Sequence, residues 1–280
     1  MRIKILSDST CDLPKDYLAQ HDVTLVPLTV IKNDVAFKDG VDIHPADIFA
    51  HVAAGGALCS TSAVSVGDYE DLFARFAPEY DAVILINIGS GFSSSHQNAL
   101  VAAEDYPNVH CVDSQNLTTG QGFLVVHAVE MAASGASAEQ ILEELNTLIP
   151  RVEASFLVEK LDYLVKGGRC SSAAALGANL LNLKPCIEVR DGKMTVVKKY
   201  RGNYAKCLAN YVKDRLADRE DVNRDLLFIT STTVSPDCRE AVLDAVNTWG
   251  HFQTVTETSA GCTVSCHCGP GTLGILFIKK

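Results

Sequence analysis

The chain has 280 residues, 47% of them hydrophobic, and 24 Lys+Arg against 34 Asp+Glu give a formal net charge of −10. That balance excludes the basic footprint of a general nucleic-acid binder, the apolar content excludes intrinsic disorder, and the length suits one large domain or two modest ones. No run approaches the roughly 18 apolar residues of a membrane span; the longest candidate, Phe123 to Ala133, is broken by His127 and Glu130.

The opening Met1-Arg2-Ile3-Lys4-Ile5-Leu6-Ser7-Asp8 has no long apolar stretch and no small-residue cleavage site, so it reads as a strand and not a signal peptide. Strands are expected at Ile3–Leu6, Val23–Val30, Ala82–Ile88 and Val109–Val112, alternating with helix-like segments in the βα rhythm of a parallel sheet covered by helices. Helix starts are signalled by Asp12 before Pro14, by Ser65-Val66-Gly67-Asp68, and by Ser93 or Ser94 ahead of Gln97–Glu104. Helices then follow at Phe123–Ala133 and Ala138–Ile149, and Pro150 marks a boundary between an N-terminal domain (1–150) and a C-terminal one (151–280), with crossing over of the termini left open.

The second half is read as strand Ala154–Val158, helix Lys160–Lys166, helix Ser172–Leu181 and strand Lys184–Val189, with Asp191-Gly192 turning the chain into strand Met194–Lys199. Helix Tyr204–Ala217, strand Leu226–Thr230, helix Asp237–Trp249, strand Phe252–Thr256 and strand Leu273–Ile278 complete it. The expected class is α/β: two α/β domains, a parallel Rossmann-like sheet first and a mixed sheet second.

Ten cysteines in 280 residues fall far below the roughly 8–10% of a disulfide scaffold, and most sit singly in apolar contexts. They are read as reduced thiols of a cytosolic protein, packing as small hydrophobes. Cys262, Cys266 and Cys268 surround His267, but a lone C-x-x-x-C-H-C lacks the paired units of structural zinc sites, so no metal is assigned.

Four polar clusters fall at strand-to-helix or loop positions: Ser7 to Thr10, Ser60 to Ser62, Ser90 to Ser95, and Cys266 to Thr272. Hydroxyls and backbone N–H groups at such junctions make donor-rich pockets suited to a carboxylate or phosphate. The bland reading of each is ordinary helix capping. Gly89-Ser90-Gly91 is only a fragment of a nucleophile elbow. Gly269-Pro270-Gly271-Thr272-Leu273-Gly274 fits a dinucleotide fingerprint by letter, but a strand and not a helix is expected after it. No cofactor is assigned.

Taken together, several runs resemble the DegV family of bacterial fatty-acid-binding proteins over nearly the whole chain. They are Asp8 to Leu13; Thr61-Ser62 with Ser65 and Tyr69; Gly91-Phe92-Ser93 with Gln97 and Ala99; Leu161 to Arg169; Leu183-Lys184-Pro185; and His267-Cys268-Gly269-Pro270-Gly271. The K-G-G-R run, the downstream L-K-P and the closing H-x-G-P-G carry most of the specificity.

The resemblance implies one long-chain fatty acid held between two α/β domains. Its carboxylate would be held by Thr61, Ser93 and His267, with Ser62, Ser94 and Gly269 beside them. It further implies a carrier without chemistry of its own, which presents the lipid to a fatty acid kinase for conversion to acyl phosphate, with no nucleic acid and no stable membrane anchoring. Candidate walls for the acyl chain are Leu161, Leu164, Leu176, Leu180 and Ile187; Arg169 and Arg201 are candidate docking residues for the kinase. Two motifs depart from the family pattern: Phe92-Ser93-Ser94-Ser95 stands where L-S-G-T is usual, and Thr61-Ser62-Ala63-Val64-Ser65 lacks the proline of T-S-x-P-S. Burying one CH₂ contributes roughly 0.8 kcal/mol, so a tail of about sixteen carbons would supply on the order of 12 kcal/mol gross. The competing reading is a stand-alone hydrolase or transferase using Ser93 and His267 on an acyl or phosphoryl substrate.

Overall fold

The structure, a computed structural model, describes residues 1–174 and 183–280. Its first half runs β1 (Ile3–Asp8), α1 (Lys15–Gln20), β2 (Thr24–Val26), β3 (Thr29–Lys32), β4 (Val35–Lys38), α2 (Pro45–Ala53), β5 (Ser60–Ser62), α3 (Val66–Phe76), β6 (Ala82–Asn87), α4 (Ser95–Ala102), β7 (Val109–Asp113), α5 (Thr119–Ala133) and α6 (Ala138–Leu148). The second runs β8 (Val152–Leu157), α7 (Asp162–Gly167), α8 (Ser171–Ala174), β9 (Leu183–Arg190), β10 (Lys193–Arg201), α9 (Tyr204–Leu216), β11 (Val222–Ser231), α10 (Pro236–Trp249), β12 (Thr254–Ser259), α11 (Cys262–Cys268) and β13 (Leu273–Lys279). Leu176 and Leu180 lie outside the described residues.

Strands β2-β1-β6-β7 form a parallel sheet and β10-β9-β8-β13-β11-β12 a mixed one, as the βα rhythm of the first half and the hairpin of the second predict. The central strands β6, β8 and β13 are apolar-rich because they are covered on both faces. The β9–β10 turn uses Asp191 and Gly192 at φ 49° and 69°, the left-handed backbone that a tight hairpin requires.

Two departures from the sequence reading shape the rest. The apolar run Val23–Val30 is not one strand: it is interrupted at Pro27, so β2 joins the parallel sheet while β3 joins a separate antiparallel sheet, β4-β3-β5. And His267, read as a loop residue, is the penultimate residue of helix α11.

Helix α11 comes from the second half of the chain but docks on the first. Asp39 accepts hydrogen bonds from the backbone N–H of Cys262 (2.9 Å) and Thr263 (3.0 Å) and from the Thr263 hydroxyl (2.7 Å). Asp12 accepts from the Gly261 N–H (2.8 Å) and from Thr118 (2.6 Å). Asp12 was expected to open α1; that helix begins after Pro14 with no side-chain cap, and the carboxylate serves α11 instead. Below this junction one continuous apolar cluster joins Ile84 and Phe123 of the first half to Phe156, Ile187 and Phe228 of the second, so the two sheets share a core.

Replacing Asp39 with Ala strips the first turn of α11 of its buried acceptor. The expected loss is about 2 kcal/mol of unfolding free energy, read from urea denaturation, with an unchanged midpoint counting against the cap.

Candidate functional site

Thr61 stands on β5, with Ser62 beside it; Ser93 lies in the turn before α4; His267 reaches in from α11. These four residues border one narrow pocket with Leu28, Ile88, Phe92, Leu117, Met194, Val264 and Cys268. Its polar heart is a 2.7 Å hydrogen bond between Thr61 Oγ1 and His267 Nε2. In the tautomer with the proton on Nε2, Thr61 accepts from the ring and its hydroxyl is left to donate to a ligand; in the other, Thr61 donates to Nε2.

Ser93 is held by its neighbours. Its hydroxyl lies 3.0 Å from that of Ser95 and accepts from the Ser95 backbone N–H at 3.2 Å. Ser95 in turn accepts from the Val64 N–H (3.3 Å), and Asn98 donates to the Val64 carbonyl (2.7 Å), which ties the Thr61 segment to α4. Ser94 occupies the cap position of α4 but is exposed, makes no side-chain cap bond and lies off the pocket wall. Gly269 also stays off the wall: it closes α11 at φ 75°, packed against Tyr163, and its carbonyl accepts from Thr232.

Burial pushes the His267 imidazole down to about 4, and the Arg169 charge nearby adds to the effect. The ring is therefore neutral at pH 7. Its Nδ1 lies against the Gly167 backbone without a well-formed hydrogen bond; a β-carbon at Gly167 would sit 2.5 Å from that nitrogen, so the K-G-G-R glycine is space for the imidazole. Arg169 itself borders the pocket, with Nε donating to the Phe92 carbonyl at 3.4 Å and Nη1 to the Gly167 carbonyl at 2.9 Å. Its side chain is exposed, so this cation stands at the rim of the pocket.

The hydrolase geometry is not assembled. His267 Nε2 is bonded to Thr61 and not Ser93, and among the described residues no carboxylate is hydrogen-bonded to Nδ1.

Behind the polar pocket runs a second narrow slot, and Leu117, Val264 and Cys268 border both. It passes between the halves along Ala154, Phe156, Val189, Thr230, Gly274 and Leu276. Several hydroxyl residues face it, yet their oxygens are engaged elsewhere: Thr118 donates to Asp12, Thr232 to the Gly269 carbonyl, Thr272 to the Cys268 carbonyl, and Thr230 bonds with Thr119 and Thr258. What remains for the slot is methyl and aliphatic surface. Leu161, Leu164 and Ile187 belong to the adjoining core, Leu164 and Ile187 fully buried, but none borders the slot.

The cysteines diverge around α11. Cys262 and Cys266 pack with Val30, Ile43, Ile48 and Cys59, while Cys268 faces the slots, its thiol pushed up to about 12 by burial. Among the described residues no group of three or more His, Cys, Asp or Glu is placed to hold a metal ion, and no helix is long and apolar enough to cross a membrane.

The fold and site thus define an α/β protein with an apolar slot beside a neutral hydroxyl and imidazole pocket. The chain belongs to the DegV family: the family model, described as "Uncharacterised protein, DegV family", matches residues 2–280. A DegV domain-containing protein of Clostridium acetobutylicum is 33% identical over 283 residues, covering 100% of this chain and 99% of the relative. A DegV family protein of Thermus thermophilus, described by its fatty acid binding, superposes with a TM-score of 0.91 at 30% identity over 100% of both chains. A stearic acid-binding protein of Eubacterium ventriosum does so with a TM-score of 0.85 at 29% identity, covering 99% of this chain and 98% of the other.

The depressed His267 value has a sign that can be checked. Between pH 6.5 and about 4 the unfolded chain takes up a proton that native His267 refuses, so stability falls as pH falls through that window. His267→Gln should flatten the stability profile there by up to about 1.4 kcal/mol per pH unit. Asp8 and Asp12, raised by burial, act with the opposite sign in both proteins and cancel in the comparison. Superimposable acid profiles of variant and wild type would contradict the assignment.

Proposed function

We propose that this protein binds a long-chain fatty acid, with the carboxylate at Thr61, Ser93 and His267 and the acyl chain in the slot behind them. The observation that carries the reading is adjacency: the hydroxyl and imidazole pocket shares Leu117, Val264 and Cys268 with an apolar slot whose threonine hydroxyls are hydrogen-bonded elsewhere. An amphiphile with one small anionic end and a long apolar body matches both parts at once. The fatty-acid-binding relatives support the same ligand class.

Neutral donors suffice for the anion because Arg169 supplies positive charge at the mouth while the tail supplies most of the affinity. On this reading the protein performs no chemistry alone and hands its lipid to a fatty acid kinase. Arg201, exposed at the end of β10, is assigned to that contact; Arg169 is placed to serve both the carboxylate and the partner. The chain is taken to act as two lobes, 1–150 and 151–280, with the lipid between them.

Lipid extraction or native mass spectrometry of the purified protein is expected to recover one long-chain fatty acid per chain. Thr61→Val and Ser93→Ala should each weaken retention by about 1.5–3 kcal/mol, one hydrogen bond to a charged acceptor; unchanged retention in both removes them from the site. Arg201→Ala is expected to lower acyl-phosphate formation by added kinase while retention stays normal. Lost retention with normal coupling would overturn the docking role.

A further inference from the structure

The apolar slot adjoins a different environment at Val189. Next to it lies an open, charged cleft bordered by Gln115, Asn116, Val152, Arg190, Arg219 and Lys279. Inside it Arg215 pairs with Glu153 (2.5 Å) and Glu188 (2.7 Å), and Arg219 with Glu153 (2.8 Å). Among the described residues, Val189 alone borders both this cleft and the slot. The chain passes from one cavity to the other on either side of it, with Asn116 on the cleft and Leu117 on the slot, and Val152 on the cleft and Ala154 on the slot.

Val189 is 6% exposed and sits on β9 with Ala154 of β8 and Met194 of β10 as its register partners. Ala154 is too short to close the passage from its side. The isopropyl group of Val189 is therefore a wall between methyl-lined space and ion pairs in water. An acyl chain advancing along the slot gains burial for each methylene up to this wall. Beyond it, a further methylene finds either the valine or charged, hydrated surface.

We propose that Val189 is the stop that sets acyl-chain length: it separates the slot from the charged cleft, and shrinking it deepens the slot by room for about one methylene. This rests on the fatty-acid reading above and adds to it the residue that selects among fatty acids. Val189→Ala moves the preference to longer chains because the end of the tail is no longer blocked; Val189→Ile moves it to shorter ones because the wall advances by a methyl group.

The test loads wild type, Val189→Ala and Val189→Ile with an equimolar mixture of saturated fatty acids from roughly twelve to twenty-two carbons and quantifies the extracted acids by mass spectrometry. In Val189→Ala, the acid one methylene beyond the wild-type optimum should rise about fourfold relative to that optimum, the factor for one buried CH₂. In Val189→Ile it should fall by a similar factor. The isoleucine variant keeps the core filled, so it carries the test if the alanine variant does not fold. Identical distributions in the folded variants and a loaded wild type overturn the role of Val189. A wild type that retains no acid of any length overturns the fatty-acid reading, and this proposal with it.

Discussion

The site depends on a helix that belongs to one half of the chain and is anchored by the other. A helix of seven residues has few intrahelical bonds and leaves its first N–H groups unpaired. In α11 those groups are met by Asp39 and Asp12, two carboxylates supplied from across the junction. The negative charge of Asp39 also complements the N-terminal end of the helix dipole. Because His267 is one turn and a half further along the same short rod, fixing its start fixes the imidazole. The apposition of Thr61 and His267 is thus set by caps that touch neither residue.

The two ends of the site are built by opposite treatments of the same side-chain chemistry. At the mouth, the hydroxyls of Thr61 and Ser93 stand at the pocket wall, and a partly buried neutral imidazole adds a group that carries no charge into it at pH 7. Deeper in, threonine hydroxyls are consumed by Asp12, by carbonyls of the α11 to β13 turn and by one another, leaving methyl groups outward. A leucine-lined slot would be as apolar, but it would not also satisfy the carbonyls at the end of α11. The threonines do both, which explains why a hydroxyl-rich stretch of sequence borders an oily channel.

How much of this was legible in the sequence follows from the range of the interactions involved. Alternating apolar runs and turn residues announced both main sheets, since strand burial and the Asp191-Gly192 turn are local properties. The short β3, β4 and β5 ribbon was not announced, because three- and four-residue strands hardly alternate and Pro27 hides inside an apolar run. Helix α11 was masked by its own composition: glycines follow it, no capping serine or aspartate precedes it in sequence, and its caps lie more than 220 residues away. Thr61, Ser93 and His267 were found through a motif resemblance, and the fold brings them to one pocket. The slot walls on β8, β9, β11 and β13 carried no motif, being ordinary strand residues whose role comes from which face of the sheet they share.

The same architecture constrains how any occupant of the slot comes and goes. Parting the two halves would uncap α11 at Asp12 and Asp39 and break the apolar cluster that runs from Phe123 to Phe156 and Phe228. Each cap hydrogen bond is worth about 0.5–1.5 kcal/mol, and each large core side chain about 1.5–3 kcal/mol, so several of them together approach the roughly 5–15 kcal/mol that holds a whole domain folded. A hinge that opens the molecule along its core would therefore cost nearly as much as unfolding it. The less costly route is local. Exposed Arg169 stands at the rim of the polar pocket, its guanidinium held by two carbonyl contacts, one of them long at 3.4 Å. Releasing those contacts would widen access to the partly exposed Thr61, Ser93 and His267 without disturbing the shared core.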